Sequence, residues 1–327
     1  MRNFSYLRAT SAAEASQAAQ QAGAMLLAGG TTLLDLAKCG VSEPDTVIDI
    51  THLSGMSGIA VDAAGATIGA LARMSEVADH KDILAAFPAV SQSLSLAASA
   101  QLRNMATIGG NLLQRTRCSY FRDPGTFAAC NKRNPGSGCA ALGGITRNHA
   151  VLGTSDACIA SYPGDLAVAL VAFDAVVELE GRKVTVDDFF LVPGDTPDRE
   201  TVLQRGEMIT AIRIPASAAA RNSTYIKVRD RQSYEFAAAS AAVGLELEAD
   251  GKTIRNIRVA IGGVATKPWR GRSVEQALIG KTLSLESVEK ASRLAMEGAV
   301  AHGGNHYKIE LAPRVVARAI LTMGGLA

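Results

Sequence analysis

Leu27-Ala28-Gly29-Gly30-Thr31-Thr32-Leu33-Leu34 and, roughly eighty residues later, Thr107-Ile108-Gly109-Gly110-Asn111 are the stretches on which the reading of this chain turns. Met25 to Ala28, with Leu26 inside it, reads as a short buried strand, and Leu33 to Lys38 as the start of a helix. Between them Gly29-Gly30-Thr31-Thr32 forms a tight turn. A strand, a glycine turn and a helix start present unpaired backbone N–H groups and the positive end of a helix, which suits a phosphate or pyrophosphate. A plain strand–turn–helix connection is the bland alternative, since the loop is neither G-x-G-x-x-G nor a Walker sequence. The second stretch follows a helical run, Pro88 to Leu102, in which Ala97, Ala98, Ser99 and Ala100 leave room for close packing. Asn104 and Asn111 add groups that can bond ligand oxygens.

Outward from these loops, Ser11 with Glu14 marks a capped helix from Ser11 to Ala22. Val47 to Ile50 and Ala66 to Ile68 read as strands, and Asp35, Glu76 and Asp79 as residues of solvated helix faces. Toward the C-terminus, Tyr225 to Arg229, Ala239 to Leu247 and Ile254 to Gly262 alternate as strands do. Asp250-Gly251 and Gly262-Gly263 read as turns, and Val274 to Leu278 and Leu285 to Ala301 as helices. The expected class is α/β followed by α+β.

The chain has 327 residues, 48% hydrophobic and 20% charged, which is the profile of a globular protein of more than one domain. A net charge of +2 and an aromatic content of 5% speak against nucleic acid as the main partner. The N-terminal stretch contains no apolar run suited to a signal peptide or membrane span, so cytoplasmic synthesis and no membrane span are expected.

Four of the five cysteines, Cys118, Cys130, Cys139 and Cys158, fall in a glycine- and proline-punctuated segment with spacing C-x11-C-x8-C-x18-C. Thiols in a reducing compartment suggest a metal or iron–sulfur centre rather than disulfides, and the spacing leaves iron–sulfur and zinc open. Between Leu113 and Ala150 there are six basic residues, Arg115, Arg117, Arg122, Lys132, Arg133 and Arg147, against the single acid Asp123. Such a locally positive segment would favour an anionic cluster. His149 lies inside it, either beside the cluster or in a packing role. His302 and His306, with Glu310 beyond, could pose as a metal site, but Gly303-Gly304-Asn305 spoils the helical register that ligation four residues apart needs.

Taken in order, the two glycine loops resemble the signature loops of the FAD subunits of the molybdenum hydroxylase family, which includes xanthine dehydrogenase, carbon monoxide dehydrogenase and bacterial aldehyde oxidoreductases. Tyr162-Pro163-Gly164-Asp165-Leu166-Ala167, Glu207 to Pro215, Tyr225-Ile226-Lys227 and His306-Tyr307-Lys308 with Leu311-Ala312 are similar to further family segments. In most members a short connection joins T-I-G-G-N to the segment around Asp165, whereas here Asn111 and Asp165 are more than fifty residues apart. The extra length, residues 113–160, is the four-cysteine segment, and it resembles the [4Fe–4S]-bearing insertion in the FAD subunit of periplasmic-type aldehyde oxidoreductases.

The resemblance implies an FAD-binding region of residues 1–215, in subdomains of about 1–55 and 56–215, and an α+β domain of residues 216–327. It implies that Leu26 to Leu34 cradle the FAD pyrophosphate and that Thr107, Ile108, Gly109, Gly110 and Asn111 contact the cofactor from the second subdomain. Asp165 would anchor its polar portion, Ile209 would contact it, and Lys227 would bond the flavin ring region. Cys118, Cys130, Cys139 and Cys158 would hold a [4Fe–4S] cluster. No Ser-His-Asp set, carboxylate pair, molybdenum site or [2Fe–2S] spacing is evident. The resemblance therefore implies electron transfer here and substrate oxidation elsewhere: a molybdopterin-binding large subunit and a [2Fe–2S] small subunit as partners in an aldehyde oxidoreductase, with co-export by a signal-bearing partner as a route to the periplasm. A stand-alone flavin oxidase and a zinc-stabilised interaction module are the competing readings.

Overall fold

The computed structural model describes residues 1–326. Three sheets are built in turn along the chain. The first is parallel, with Thr46–Asp49 between Ser5–Arg8 and Ala24–Leu27. Helix Ala12–Ala19 connects its first two strands, and Ser11 Oγ accepts the Glu14 N–H at 3.1 Å. The Glu14 carboxylate reaches back to Thr10 rather than to Ser11, at 2.7 Å from both its N–H and its hydroxyl. The helix stops short of Ala22, because the chain must turn at Gly23, whose φ is +75°.

The second sheet is antiparallel and five-stranded, in the order Ile59–Asp62, Gly65–Gly69, Ile209–Pro215, Val176–Leu179, Arg182–Thr185. The third is antiparallel and four-stranded, in the order Trp269–Arg270, Ile254–Gly262, Ala239–Leu247, Ser223–Val228. Helix Tyr307–Met323 packs across this third sheet through Ala312, Val315, Val316, Ala319 and Ile320, a spacing that puts all five on one stripe.

Two more expected helices are shorter than their sequences suggest. The run Pro88 to Leu102 divides into Pro88–Ser95 and Ala100–Arg103, with Ala98 between them in the left-handed region at φ +47°. Ser99 then caps the second piece by accepting the Leu102 N–H. Leu285 to Ala301 is α-helical only to Ser292, continues as a 3-10 turn over Arg293–Met296 and ends before Gly298 at φ +76°. In both places apolar residues continue the pattern while the backbone turns away to follow the core.

Helix Leu166–Ala172 is buried along its whole length and packs against helix Pro88–Ser95 and the strands Ala239–Leu247 and Ile254–Gly262. Gly262 permits this approach, since a Cβ there would stand 2.5 Å from Val168 Cγ2. Burying its larger side chains contributes roughly 1.5–3 kcal/mol each. Nearby, the buried Arg270 joins Asp174, Glu275 and the Val171 carbonyl, which clamps the third sheet to the end of this helix. The cysteine segment has one short helix, Ser119–Arg122, and otherwise turns. Its far end enters the third sheet's core at Val151 and Leu152, which bond the Val264 carbonyl. Among the described residues no helix is long and apolar enough to cross a membrane.

Lys308, in the first turn of the last helix, is 1% exposed and donates to the Gly263 carbonyl at 2.6 Å. Burial brings its ammonium down to about 7, below the ordinary 10.5. Between these values the unfolded chain binds the extra proton, so stability rises with pH across the window. Chemical denaturation of wild type against Lys308→Met from pH 7 to 10 should show the wild type gaining on the variant, by on the order of 3–5 kcal/mol over the full window.

Candidate functional site

The first glycine loop leaves the C-terminal end of a parallel strand, where open α/β sheets commonly bind ligands. Gly30 turns the chain at φ +71°, and the side chains of Leu27 and Leu34 pack beneath it. The N–H groups of Gly30, Thr31, Thr32 and Leu33 have no backbone acceptor. The second loop is fastened to the end of strand Gly65–Gly69: Ile108 N–H bonds the Ala72 carbonyl at 2.9 Å and Gly109 N–H the Ala70 carbonyl at 2.8 Å. Thr107 caps the following turn by accepting the Gly110 N–H. The two loops meet where Gly29 abuts Met105: a Cβ on Gly29 would stand 2.0 Å from the Met105 carbonyl oxygen.

Between the loops lies a cavity of about 350 Å³ lined by Leu26, Ala28 to Leu33, Thr107, Gly109, Gly110 and Ile209. A second cavity of about 440 Å³ shares Thr31, Thr32 and Gly110 with the first and adds Asn111 and Asp165. The two adjoining spaces provide an apolar part, a run of free N–H groups and a polar end. This suits an elongated dinucleotide, and the Asn111 Oδ1, buried without a hydrogen-bond partner, leaves an acceptor for such a ligand.

Four residues expected at the cofactor stand back from it. Leu27 and Leu34 support the loop, and Ile108 is fully buried in the core. Lys227 lines neither cavity; its ammonium, 1% exposed, lies 2.7 Å from Asp165 and 3.1 Å from the Leu96 carbonyl. Asp165 also accepts from the Tyr225 hydroxyl at 2.7 Å. Burial pushes its carboxyl up from the usual range, while the Lys227 charge opposes the shift. Lys227 thus holds a cavity carboxylate in place. Arg115 and Arg117, which the sequence reading placed with the cysteines, Met208 of the segment Glu207 to Pro215, and Phe236, which carries no local motif, also line the two cavities.

The four cysteines are all free thiols. Cys130 and Cys139 face each other across an antiparallel bridge, and Cys158 lies in a turn with Ser155. His149 Nε2 is 3.2 Å from Cys118 Sγ. Burial pushes the Cys118 thiol up to about 12, with smaller contributions from its neighbours Cys130 and Cys158, and raises Cys158 as well. Burial brings His149 down to about 4. Among the described residues no three His, Cys, Asp or Glu side chains are grouped as they would be around a single metal ion. His302 and His306 instead bond Thr154 and the Gly303 carbonyl.

The positive charge of the segment meets acids from the rest of the chain. Arg115 and Lys132 pair with Glu200, Arg117 and Arg122 with Asp35, and Arg147 with Asp230. Arg133 binds the carbonyls of Tyr120, Phe121, Phe127 and Ala128. The cations dock the segment onto acids from the rest of the chain, and Asp35 leaves its expected solvated role to serve as one of those acids.

Residues 2–217 match the family described as the FAD binding domain in molybdopterin dehydrogenase, and residues 224–323 the CO dehydrogenase flavoprotein C-terminal domain. The chain is 48% identical over 285 residues to the aldehyde oxidoreductase FAD-binding subunit PaoB of Escherichia coli, covering 85% of this chain and 86% of that one. It is 27% identical to the carbon monoxide dehydrogenase medium chain of Hydrogenophaga pseudoflava, over 97% and 96% of the two chains. The solved carbon monoxide dehydrogenase of Hydrogenophaga pseudoflava superimposes with a TM-score of 0.77 at 25% identity, covering 100% of this chain and 99% of that chain.

Gly29→Ala should separate the two loops and weaken FAD binding by about tenfold or more, a loss of about 1.4 kcal/mol or more. Flavin content per chain and far-UV circular dichroism check this, with flavin lost and helix content kept. From the two domain matches, which span nearly the whole chain, and the geometry of the paired loops, the chain belongs to the family of FAD-binding chains of the molybdopterin dehydrogenases.

Proposed function

We propose that this chain is the FAD- and [4Fe–4S]-carrying electron-transfer subunit of a molybdenum-dependent aldehyde oxidoreductase. In this reading it works beside a molybdopterin-binding large subunit and a [2Fe–2S] small subunit, receives electrons from the latter and passes them to an external acceptor. The observation that carries the FAD reading is the adjoining pair of cavities closed by the two glycine loops. The 48% identity to an aldehyde oxidoreductase FAD-binding subunit supports the choice of reaction.

Each residue's task follows from its surroundings. The free N–H groups of residues 30–33 bind phosphate oxygens, Leu26 and Ile209 exclude water from the apolar part, and Asp165, fixed by Lys227 and Tyr225, accepts from hydroxyl or N–H groups. Bound FAD supplies a carrier able to exchange one or two electrons.

For the cluster, Cys118, Cys130, Cys139 and Cys158 supply four thiolates. A single zinc ion with Zn–S bonds of about 2.3 Å would draw four sulfurs into one tight tetrahedron. The resemblance of residues 113–160 to a [4Fe–4S]-bearing insertion favours a cluster over zinc. Burial raises the Cys118 and Cys158 thiols, so loading a cluster there must release protons and is disfavoured at low pH.

Protein purified anaerobically with its co-expressed partners should contain one FAD per chain, with iron and sulfide in the ratio of a [4Fe–4S] cluster. Cys130→Ala should lose the corresponding signal in low-temperature EPR of the reduced protein. Zinc without iron would overturn the cluster, and turnover by this chain alone would favour a stand-alone flavin oxidase.

A further inference from the structure

We infer that Arg117 supplies the positive charge facing the flavin end of the FAD site and ties that site to the cysteine site behind it; this rests on the reading of FAD in the two adjoining cavities. The resemblance assigned such a role to Lys227, but the Lys227 charge is matched by Asp165 at 2.7 Å and is buried away from the cavity. The ionisable groups of the second cavity can be paired off. Asp165 belongs to Lys227, and Glu235 lies 3.9 Å from Arg231. Asp35 alone is shared, by Arg117 at 3.3 Å and by Arg122. One carboxylate against two guanidiniums leaves net positive charge at this corner.

Of the two arginines, only Arg117 lines the cavity. It also lines the neighbouring cavity that contains Cys118 and His149, and it directly precedes Cys118 in the chain. Its guanidinium sits over the Phe236 ring at 4.8 Å, which fixes its position, and its Nε is buried without a hydrogen-bond partner. Asn111 Oδ1, on the same cavity, is the matching orphan acceptor. An unsatisfied donor and an unsatisfied acceptor on one cavity suit a ligand edge that carries a carbonyl beside an N–H, as the pyrimidine edge of an isoalloxazine does. A guanidinium there favours the electron-rich form of the ring and raises its potential.

The test uses the holoprotein purified with its co-expressed partners, as wild type, Arg117→Met, Arg117→Lys and Asp35→Asn. FAD affinity is read by equilibrium dialysis and the flavin midpoint potential by spectroelectrochemical titration. Arg117→Met should bind FAD about tenfold more weakly, the loss expected for one hydrogen bond from a charged donor, and should show a lowered potential. Arg117→Lys should keep a potential near that of the wild type while losing affinity, because charge remains and the planar donor set is gone. Asp35→Asn should move the potential upward, opposite to Arg117→Met. A wild-type potential in an FAD-loaded Arg117→Met protein would overturn the inference, as would shifts of the same sign in Arg117→Met and Asp35→Asn, the pattern of a merely structural triad. A wild type without FAD would instead sink the underlying cofactor reading.

Discussion

The approach of the Gly29 backbone to the Met105 carbonyl is the contact on which the rest of the FAD region depends. A Cβ at Gly29 would lie 2.0 Å from that oxygen, so any other residue would push the two loops apart. The first loop is carried by a parallel sheet and the second by an antiparallel one. Only where both backbones come this close do Thr31, Thr32 and Gly110 border two cavities at once. The conformational cost of glycine is spread over the loops and is recovered as shape, a cradle in which backbone N–H groups rather than side chains meet the ligand.

A second layer of organisation comes from charge. The cysteine segment has little regular structure and little apolar surface of its own, so hydrophobic burial alone cannot hold it. Its cations reach Asp35 beside the first glycine loop, Glu200 in the loop before strand Ile209–Pro215, and Asp230 after the first strand of the third sheet. Val151 and Leu152 then anchor its far end in an apolar core. The segment is thereby held at both ends against structures that already exist, and its cysteines are placed by docking rather than by an internal scaffold. Partly exposed ion pairs are individually weak, and a network that shares carboxylates does more than isolated pairs because each side chain is ordered once.

The buried Asp165–Lys227 pair plays a different part. Such a pair adds little net stability, yet removal of either partner leaves a buried charge and costs about 3–5 kcal/mol. With the Tyr225 hydroxyl as a third partner, it fixes one polar group on the cavity wall and links the helix start at Leu166 to the first strand of the third sheet. The C-terminal domain thus takes part in shaping the cofactor site.

How much of this was legible beforehand depends on how local the determining physics is. The glycine loops, the strands Ala239–Leu247 and Ile254–Gly262 and the turn at Asp250-Gly251 are set by nearest neighbours and short periodicity, and the sequence by itself determined them. The break at Ala98, the early end of the helix at Ser292, the retreat of Lys227 from the cavity and the capture of the segment's cations by Asp35, Glu200 and Asp230 belong to the tertiary structure alone. The physical reason is range. Turn and strand preferences act over a few bonds, whereas an ion pair joins Arg270 to Asp174, 96 positions apart, and one cavity wall joins Thr31 to Phe236; nothing in the local sequence says which distant acid will arrive.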